Sequence, residues 1–262
     1  MAGAEPKFFD KNFIDKAAVV TASTGQATVG RVFDRDNELQ WVSVGSDDAT
    51  VETIQIDFKS GGLEFLRTFD FLAVLNHNLK NFKFQHDVGA GFVDTPGASV
   101  AAETASFTLF PITQIVNAKS AKLVMNTTQA TDDEKKVGEI LVLKRLLEFP
   151  TDEAFSAYGF DFSPVAKVTR MIDEGTIVNL QRWAGNRVER YDASLDFGLL
   201  PKTLYDSLRA VVKKGIVTLQ PEPDERPDEF FLVTAVIGGF PASYTTGFKG
   251  SGYSLSLRVR EV

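Results

Sequence analysis

The stretch DFLAVLNHNLKNFKFQHD, Asp70 to Asp87, carries both histidines of the chain, His77 and His86. Asn76 and Asn78 flank the first, and Asp87 follows the second. It reads either as a metal or catalytic centre or as a turn that belongs to the fold. A metal site needs three or four convergent ligands, and this neighbourhood offers two imidazoles, with Asp87 and Asp94 next in line. Asparagine side chains bond nearby backbone and tolerate left-handed geometry, which suits a turn. The apolar run before NHNL and the alternation after it, with Phe82 and Phe84 on one face, read as strands. The stretch therefore predicts strand, turn, strand, with His77 in the turn, His86 at a strand end, and no metal.

Working outward, the period of two persists. ETIQIDF sets Ile54, Ile56 and Phe58 against Thr53, Gln55 and Asp57. SFTLF sets Phe107 and Leu109 against Thr108. SAKLVMN and GEILVLKRLLEF are apolar on both faces, as strands inside a sandwich are. TDDEKK, residues 131–136, reads as a polar hairpin tip.

The second half continues in this style. AKVTRMI, TIVNLQRW and RVERYDASLDF read as strands separated by turns at DEG (Asp173–Gly175) and AGN (Ala184–Asn186), the third facing inward through Tyr191, Ala193, Leu195 and Phe197. LPKTLYDSLRAVVKKG reads as a helix: Pro201 suits its first turn, Leu204, Leu208, Val211 and Val212 form one stripe, and Gly215 stops it. PEPDERPDE, residues 221–229, must be a loop, since proline lacks the ladder donor and the charges resist burial. EFFLVTAVI and the amphipathic YSLSLRVREV read as closing strands. IGGFPASYTTGFKGSGY between them reads as a flexible loop that orders on a neighbouring subunit, or as a mobile hairpin tip. The seam between two β domains, 1–148 and 149–262, falls in the proline- and glycine-punctuated 146–164.

Composition narrows the function. The chain has 262 residues, 44% of them hydrophobic, which is enough for one large or two modest cores. Phenylalanine is frequent at 22 against 5 tyrosines, and with Thr and Val it favours strands. A formal charge of −7 disfavours nucleic-acid binding. No apolar run is long enough for membrane insertion, and MAGAEPKFFDKNFIDK lacks a signal-peptide core, which argues against classical secretion. The absence of cysteine removes disulfides, thiolate metal sites and cysteine nucleophiles.

A GxSxG motif, a phosphate-binding glycine loop and a histidine pair at ligand spacing are all missing. TGQATVGR is followed by no helical pattern and is no nucleotide loop. The carboxylate pairs Asp47–Asp48, Asp132–Asp133 and Glu222–Asp224 are adjacent in sequence, which does not make them face a substrate. The expectation is a protein without enzymatic activity and without a cofactor.

The order of elements from residue 10 to 148 resembles the galactose-binding-like (discoidin-type) jelly roll. The matching features are Trp41 before IQIDF, the HNL turn in VLNHNLKNFKF, and Gly138-Glu139-Ile140 opening the last strand. The resemblance implies an all-β sandwich that binds carbohydrate or a surface through loops at one end. Trp41, Asp34, Asp36, Asp47 and Asp48 are the ligand-loop candidates. Against this, FDRDNE and GSDDA also read as solvated turns, and Trp41 as a residue packed on a sheet edge. DRDNE offers the hard oxygen ligands calcium takes, but lacks the central glycine of the twelve-residue calcium loop.

Residues 165–262 resemble a β module of bacteriophage tail-tip and minor tail proteins. The resemblance rests on QRWAGNRVERYDASLDF, LYDSLRAVV, VTLQPEPDERPDEFFLV and SLRVREV in that order, with the distal tail protein as nearest named relative. It implies a virion structural protein of a phage tail or related injection particle, made in the host cytoplasm. Its partners would be further copies in a ring, other tail proteins and host surface carbohydrate. The sequence order departs from distal tail proteins, whose added domain follows or interrupts the ring module. The rival readings are a stand-alone bacterial carbohydrate-binding module and a polysaccharide-cleaving tail enzyme. Because a free amphipathic edge invites aggregation, YSLSLRVREV is expected to need a ring partner.

Overall fold

The computed structural model describes residues 6–14, 18–34, 39–149, 163–166, 169–173, 176–180, 189–220, 223–224, 227–235, 242–247 and 250–261. The chain opens with β1 (Lys7–Phe9). There follow β2 (Val19–Ala22), a 3-10 segment (Gln26–Phe33), β3 (Trp41–Val42), β4 (Glu52–Asp57), the short hairpin β5 (Lys59–Ser60) and β6 (Leu63–Glu64), and β7 (Arg67–His77). Next come β8 (Leu79–Asp87), β9 (Val93–Val100), β10 (Thr108–Ala118), β11 (Ser120–Thr128) and β12 (Lys136–Leu143). The rest is β13 (Arg145–Glu148), β14 (Ser163–Ala166), β15 (Thr169–Asp173), β16 (Thr176–Leu180), β17 (Glu189–Leu200), α1 (Lys202–Lys213), β18 (Ile216–Gln220), β19 (Phe231–Ala235), β20 (Ala242–Gly247) and β21 (Gly250–Glu261). The fold class is all-β, as expected.

Asn12–Lys144 forms one compact unit. It is a jelly-roll sandwich of a five-stranded sheet, ordered β2-β4-β11-β8-β9, and a four-stranded sheet, ordered β10-β7-β12-β3. Ile54, Ile56, Phe82, Phe84, Leu123 and Met125 from the first sheet share a buried core with Leu72, Val74, Phe110, Val137, Ile140 and Val142 from the second. Phe110 meets Phe82 and Phe84 edge-on, with centroids 6.0 and 5.9 Å apart, the arrangement favoured by aromatic quadrupoles. β4 buries every second residue, as ETIQIDF predicts.

NHNL is not a hairpin. β7 pairs with β10 and β12, whereas β8 pairs with β11 and β9, so the chain crosses from one sheet to the facing one at Asn78. Asn76 takes the left-handed geometry expected of this stretch, at φ 49°. Asn78 bonds elsewhere: its Oδ1 accepts the Lys136 amide at 2.9 Å, and its Nδ2 donates to the Glu134 carbonyl at 2.7 Å.

Several expectations are corrected. In β10 the inward residues are Thr108 and Phe110, while Phe107 and Leu109 are only half-buried. The Thr108 hydroxyl is accommodated there by two hydrogen bonds. GEILVLKRLLEF breaks at Lys144, with β12 joining the sandwich and β13 the other unit. The 3-10 segment after TGQATVGR's start was not legible as a helix.

Met1–Lys11 and Arg145–Val262 form the second compact unit. Its main sheet runs β13-β1-β18-β19-β21-β17-β14, with β20 paired to β21. The boundary expected at 148 therefore shifts: β1 and β13 pair with each other, and β1 pairs with β18, so both ends of the supposed N-terminal domain belong to this unit. Phe8 and Leu147 accordingly sit in a core with Leu208, Leu219, Val233 and Leu257. α1 follows its sequence signals, burying Leu208 and Val211 after Pro201 and ending at Gly215, where φ is 84°. β15 and β16 pair antiparallel from Asp173↔Thr176, as the DEG turn predicts. AGN lies outside the described residues, as do the side chains of Tyr191, Ala193, Leu195 and Phe197. β21 is no free edge, since β17 and β19 flank it. β20, within the segment expected to be a flexible loop or mobile tip, pairs with β21 from Ala242↔Leu255 to Gly247↔Gly250. No helix of the described residues is long and apolar enough to cross a membrane.

Candidate functional site at the distal loops

The chain enters and leaves the sandwich side by side. Asn12 Nδ2 donates to the Ile140 carbonyl at 2.9 Å, and its Oδ1 accepts the Val142 amide at 3.0 Å. The strand directions place residues 23–34, 39–51, Asn78, 101–107 and 129–135 together at the opposite, distal end.

Four of the five ligand-loop candidates are described. Trp41 is buried at 0% exposure, and its Nε1 donates to the Thr24 carbonyl at 3.3 Å. Gly25, at φ 60°, lies so close that a β-carbon there would stand 2.4 Å from the Val42 oxygen and 2.9 Å from the indole nitrogen. The indole is thus a floor beneath the 3-10 segment and offers no platform for a sugar ring. Asp34 is exposed and caps that segment's C-terminus. Asp36 lies outside the described residues, and with it most of DRDNE. Among the described residues no group of three or more histidine, aspartate or glutamate side chains is placed to hold a metal ion.

Asp47 and Asp48 are brought together by a residue that sequence reading left in a polar tip. Lys135 is fully buried, and its Nζ donates to the Asp47 carbonyl at 2.9 Å and the Asp48 carbonyl at 3.3 Å. Burial lowers its pKa, against the pull of Glu52, Asp47 and Asp48. Its backbone exchanges hydrogen bonds with Ser43: the Ser43 amide donates to the Lys135 carbonyl, and the Lys135 amide to Ser43 Oγ, both at 2.9 Å. Asp47 Oδ1 accepts the Thr50 hydroxyl at 2.7 Å and the Thr50 and Ala49 amides at 2.8 and 3.1 Å. Those bonds, the hydroxyl's foremost, hold its carboxyl below the usual range. Asp48 Oδ1 accepts the Asp132 amide at 3.1 Å. The available signal was register: Lys135 stands two residues before Val137, on the inward parity of β12.

His77 closes the same end from beneath. Its ring is buried against Phe82, with centroids 5.1 Å apart. Nδ1 accepts the Leu79 amide at 3.1 Å, so the proton of the neutral ring sits on Nε2, which donates to Thr108 Oγ1 at 3.0 Å. Thr108 in turn donates to Glu103 Oε2 at 3.0 Å. Burial pushes His77 down to about 4, and Glu103 opposes this. Burial would raise Glu103, but the Ala105 and Thr104 amides, the Thr108 hydroxyl and His77 hold it below its ordinary value. His86 is a strand-end residue, as expected, with Nδ1 3.0 Å from Thr95 Oγ1.

No protein-family model matches the sequence, and no curated protein is similar to it. Among solved structures, the chain is similar to chitosan-binding module 1 of a chitosanase/glucanase from Paenibacillus sp. IK-5 (16% identity, TM-score 0.41, covering 50% of this chain and 97% of that one). It is similar to a CBM32 module from Clostridium perfringens in complex with GalNAc-β-1,3-galactose (10%, 0.42, 51% and 99%). It is similar to a Ruminococcus gnavus GH29 fucosidase (18%, 0.42), of which it spans 27% with 52% of its own length.

Proposed function

We propose that this chain is a non-enzymatic binding protein whose sandwich, residues 12–144, holds a surface glycan at its distal loops. The observation that carries the reading is the frame of those loops. Buried polar anchors, Lys135 above all, fix the backbone of Asp47 and Asp48 while the Asp47 side chain stays exposed. Loops held in one geometry before the ligand arrives lose little entropy on binding. The galactose-binding-like resemblance of the sequence supports the same end of the sandwich as the ligand end. Glycan-array binding by the full chain tests it, with Lys135→Met and Asp48→Ala at the distal end and Leu63→Ser at the other. Loss of a saccharide signal in the distal variants alone is expected. An array with no saccharide bound, or equal loss in Leu63→Ser, overturns the reading.

A second observation favours the structural reading, a component of a phage tail or related injection particle. The sandwich interrupts the second unit in sequence, since Met1–Lys11 precedes it and Arg145–Val262 follows it. By the resemblance, the added domain of distal tail proteins follows or interrupts the ring module, and an interrupted second unit agrees with the latter arrangement. With β21 inside its sheet, a ring contact would use the edges at β13 or β14. Native mass spectrometry of the full chain tests this: closed rings support it, and a monomer at micromolar concentration counts against it.

A further inference from the structure

We propose that His77 is an acid-sensitive latch: protonating its Nδ1 releases the 101–107 loop and the Gln129 start of the 129–135 loop at the distal end while the two sheets stay paired. The inference concerns the end described above but requires no ligand.

The geometry is specific. At neutral pH the Leu79 amide donates into Nδ1 and Nε2–H donates to Thr108, so both ring nitrogens are committed. A proton added at Nδ1 sets a donor against the Leu79 donor, and the hydrogen bond at the crossover must break. The ring has 4% exposure, so the new charge cannot be solvated in place. The groups packed around it offer little compensation. β10 presents the neutral Thr108 and β8 the neutral Phe82. On the β12 side Lys136 is paired with Asp133 at 3.0 Å. Among the described residues Glu103, reached through Thr108, is the group that favours the imidazolium. The depressed pKa of the ring agrees with this balance.

What the latch holds is equally specific. The His77 amide donates to the Ser106 carbonyl at 2.8 Å, and the Glu103 amide to the Lys80 carbonyl at 2.8 Å. The Gln129 amide donates to the Asn78 carbonyl at 2.8 Å, and Gln129 Nε2 to the Ala105 carbonyl at 2.8 Å. The 101–107 loop and Gln129 are thus stitched to residues 77–80, while the far part of the 129–135 loop is also held by Lys135 and Asp132 on the 43–48 segment. The β4–β11 ladder and the β11–β8 pairs from Phe82↔Met125 to Asp87↔Ser120 lie farther from the crossover.

The chain's two histidines make the test direct. Long-range proton–nitrogen NMR of the full chain reads both rings, and His86→Gln assigns them. Amide exchange, normalised for the intrinsic rate, is followed from pH 7.5 to about 3 on the same samples, so that the range crosses the folded pKa of His77. We expect His77 to start as the Nε2–H tautomer. As it titrates, exchange at His77, Leu79, Glu103 and Gln129 should rise by roughly tenfold or more, with Ile54 and Leu123 unchanged and His86→Gln behaving as wild type. Titration of His77 without faster exchange at those amides overturns the proposal, as does simultaneous loss of protection in every strand. His77→Gln should flatten the response, and an unchanged response there is equally fatal. If that variant does not fold, the wild-type comparison of ring and amides decides.

Discussion

Asn76 and Gly138 meet across β7 and β12 with no room for a second side chain. A β-carbon at position 138 would lie 2.8 Å from the Asn76 Cβ and 3.2 Å from the Leu75 carbonyl oxygen. Asn76 is held there at φ 49°, one residue before the crossover histidine, and Val137↔His77 and Glu139↔Leu75 pair on either side. The glycine that opens the Gly-Glu-Ile run is therefore a steric requirement of the corner.

Gly138→Ala should destabilise the sandwich by about 1–3 kcal/mol, the usual range for overpacking. Asn76→Gly removes the opposing Cβ and keeps the positive φ, so the double variant should recover part of that loss. Urea denaturation of the four-member cycle measures the coupling. Additive effects would mean the two residues do not collide.

Lys135→Met should loosen the 43–50 loop and reduce stability by about 1–3 kcal/mol, because the Asp47 and Asp48 carbonyls lose their buried donor. Faster exchange of the Thr50 amide is the local readout. A variant as stable as wild type, with that amide still protected, would show that the ammonium anchors nothing.

Trp41 should behave as a core residue. The chain has two tryptophans, so a Trp183→Phe variant leaves Trp41 as sole emitter. Its emission should be blue-shifted, resist acrylamide and stay unmoved by saccharides. Strong quenching would contradict its burial at 0% exposure.

Acid should weaken the fold through His77. Its folded pKa is lowered to about 4 from 6.5, so between those values the unfolded chain binds a proton that the folded chain refuses. Stability is therefore complete above about pH 6.5 and falls as the pH drops toward 4, by about 3 kcal/mol for this group. His86, also lowered by burial, acts in the same direction. Denaturant midpoints at pH 7.5 and 4.5 should differ, and less so in His77→Gln.

A substitution near the N-terminus should act on the second unit. Phe8→Ala empties a buried site shared with Leu147, Leu219 and Val233 and should cost about 3 kcal/mol or more. Amide exchange should rise in β18 and β19 and stay unchanged in β4 and β11. The opposite pattern would place β1 with the sandwich.

Sequence by itself determined what depends on local chemistry. The period-two runs placed strands such as β4, although in SFTLF the apolar parity was not the buried one. Proline and glycine bounded α1. Tertiary structure decided what depends on distant partners. That β1 joins β13 and β18 is invisible in three residues of strand, because pairing joins segments far apart in the chain. Thr108 faces inward against its hydropathy because His77 and Glu103 satisfy its hydroxyl. Lys135 is buried because two backbone carbonyls, separated from it by most of the sandwich sequence, replace its water. Trp41 was a candidate platform and is a floor, since Gly25 lets the backbone close over its ring. Polarity is written in each residue, but burial of a polar group is settled by whichever partner the fold brings to it.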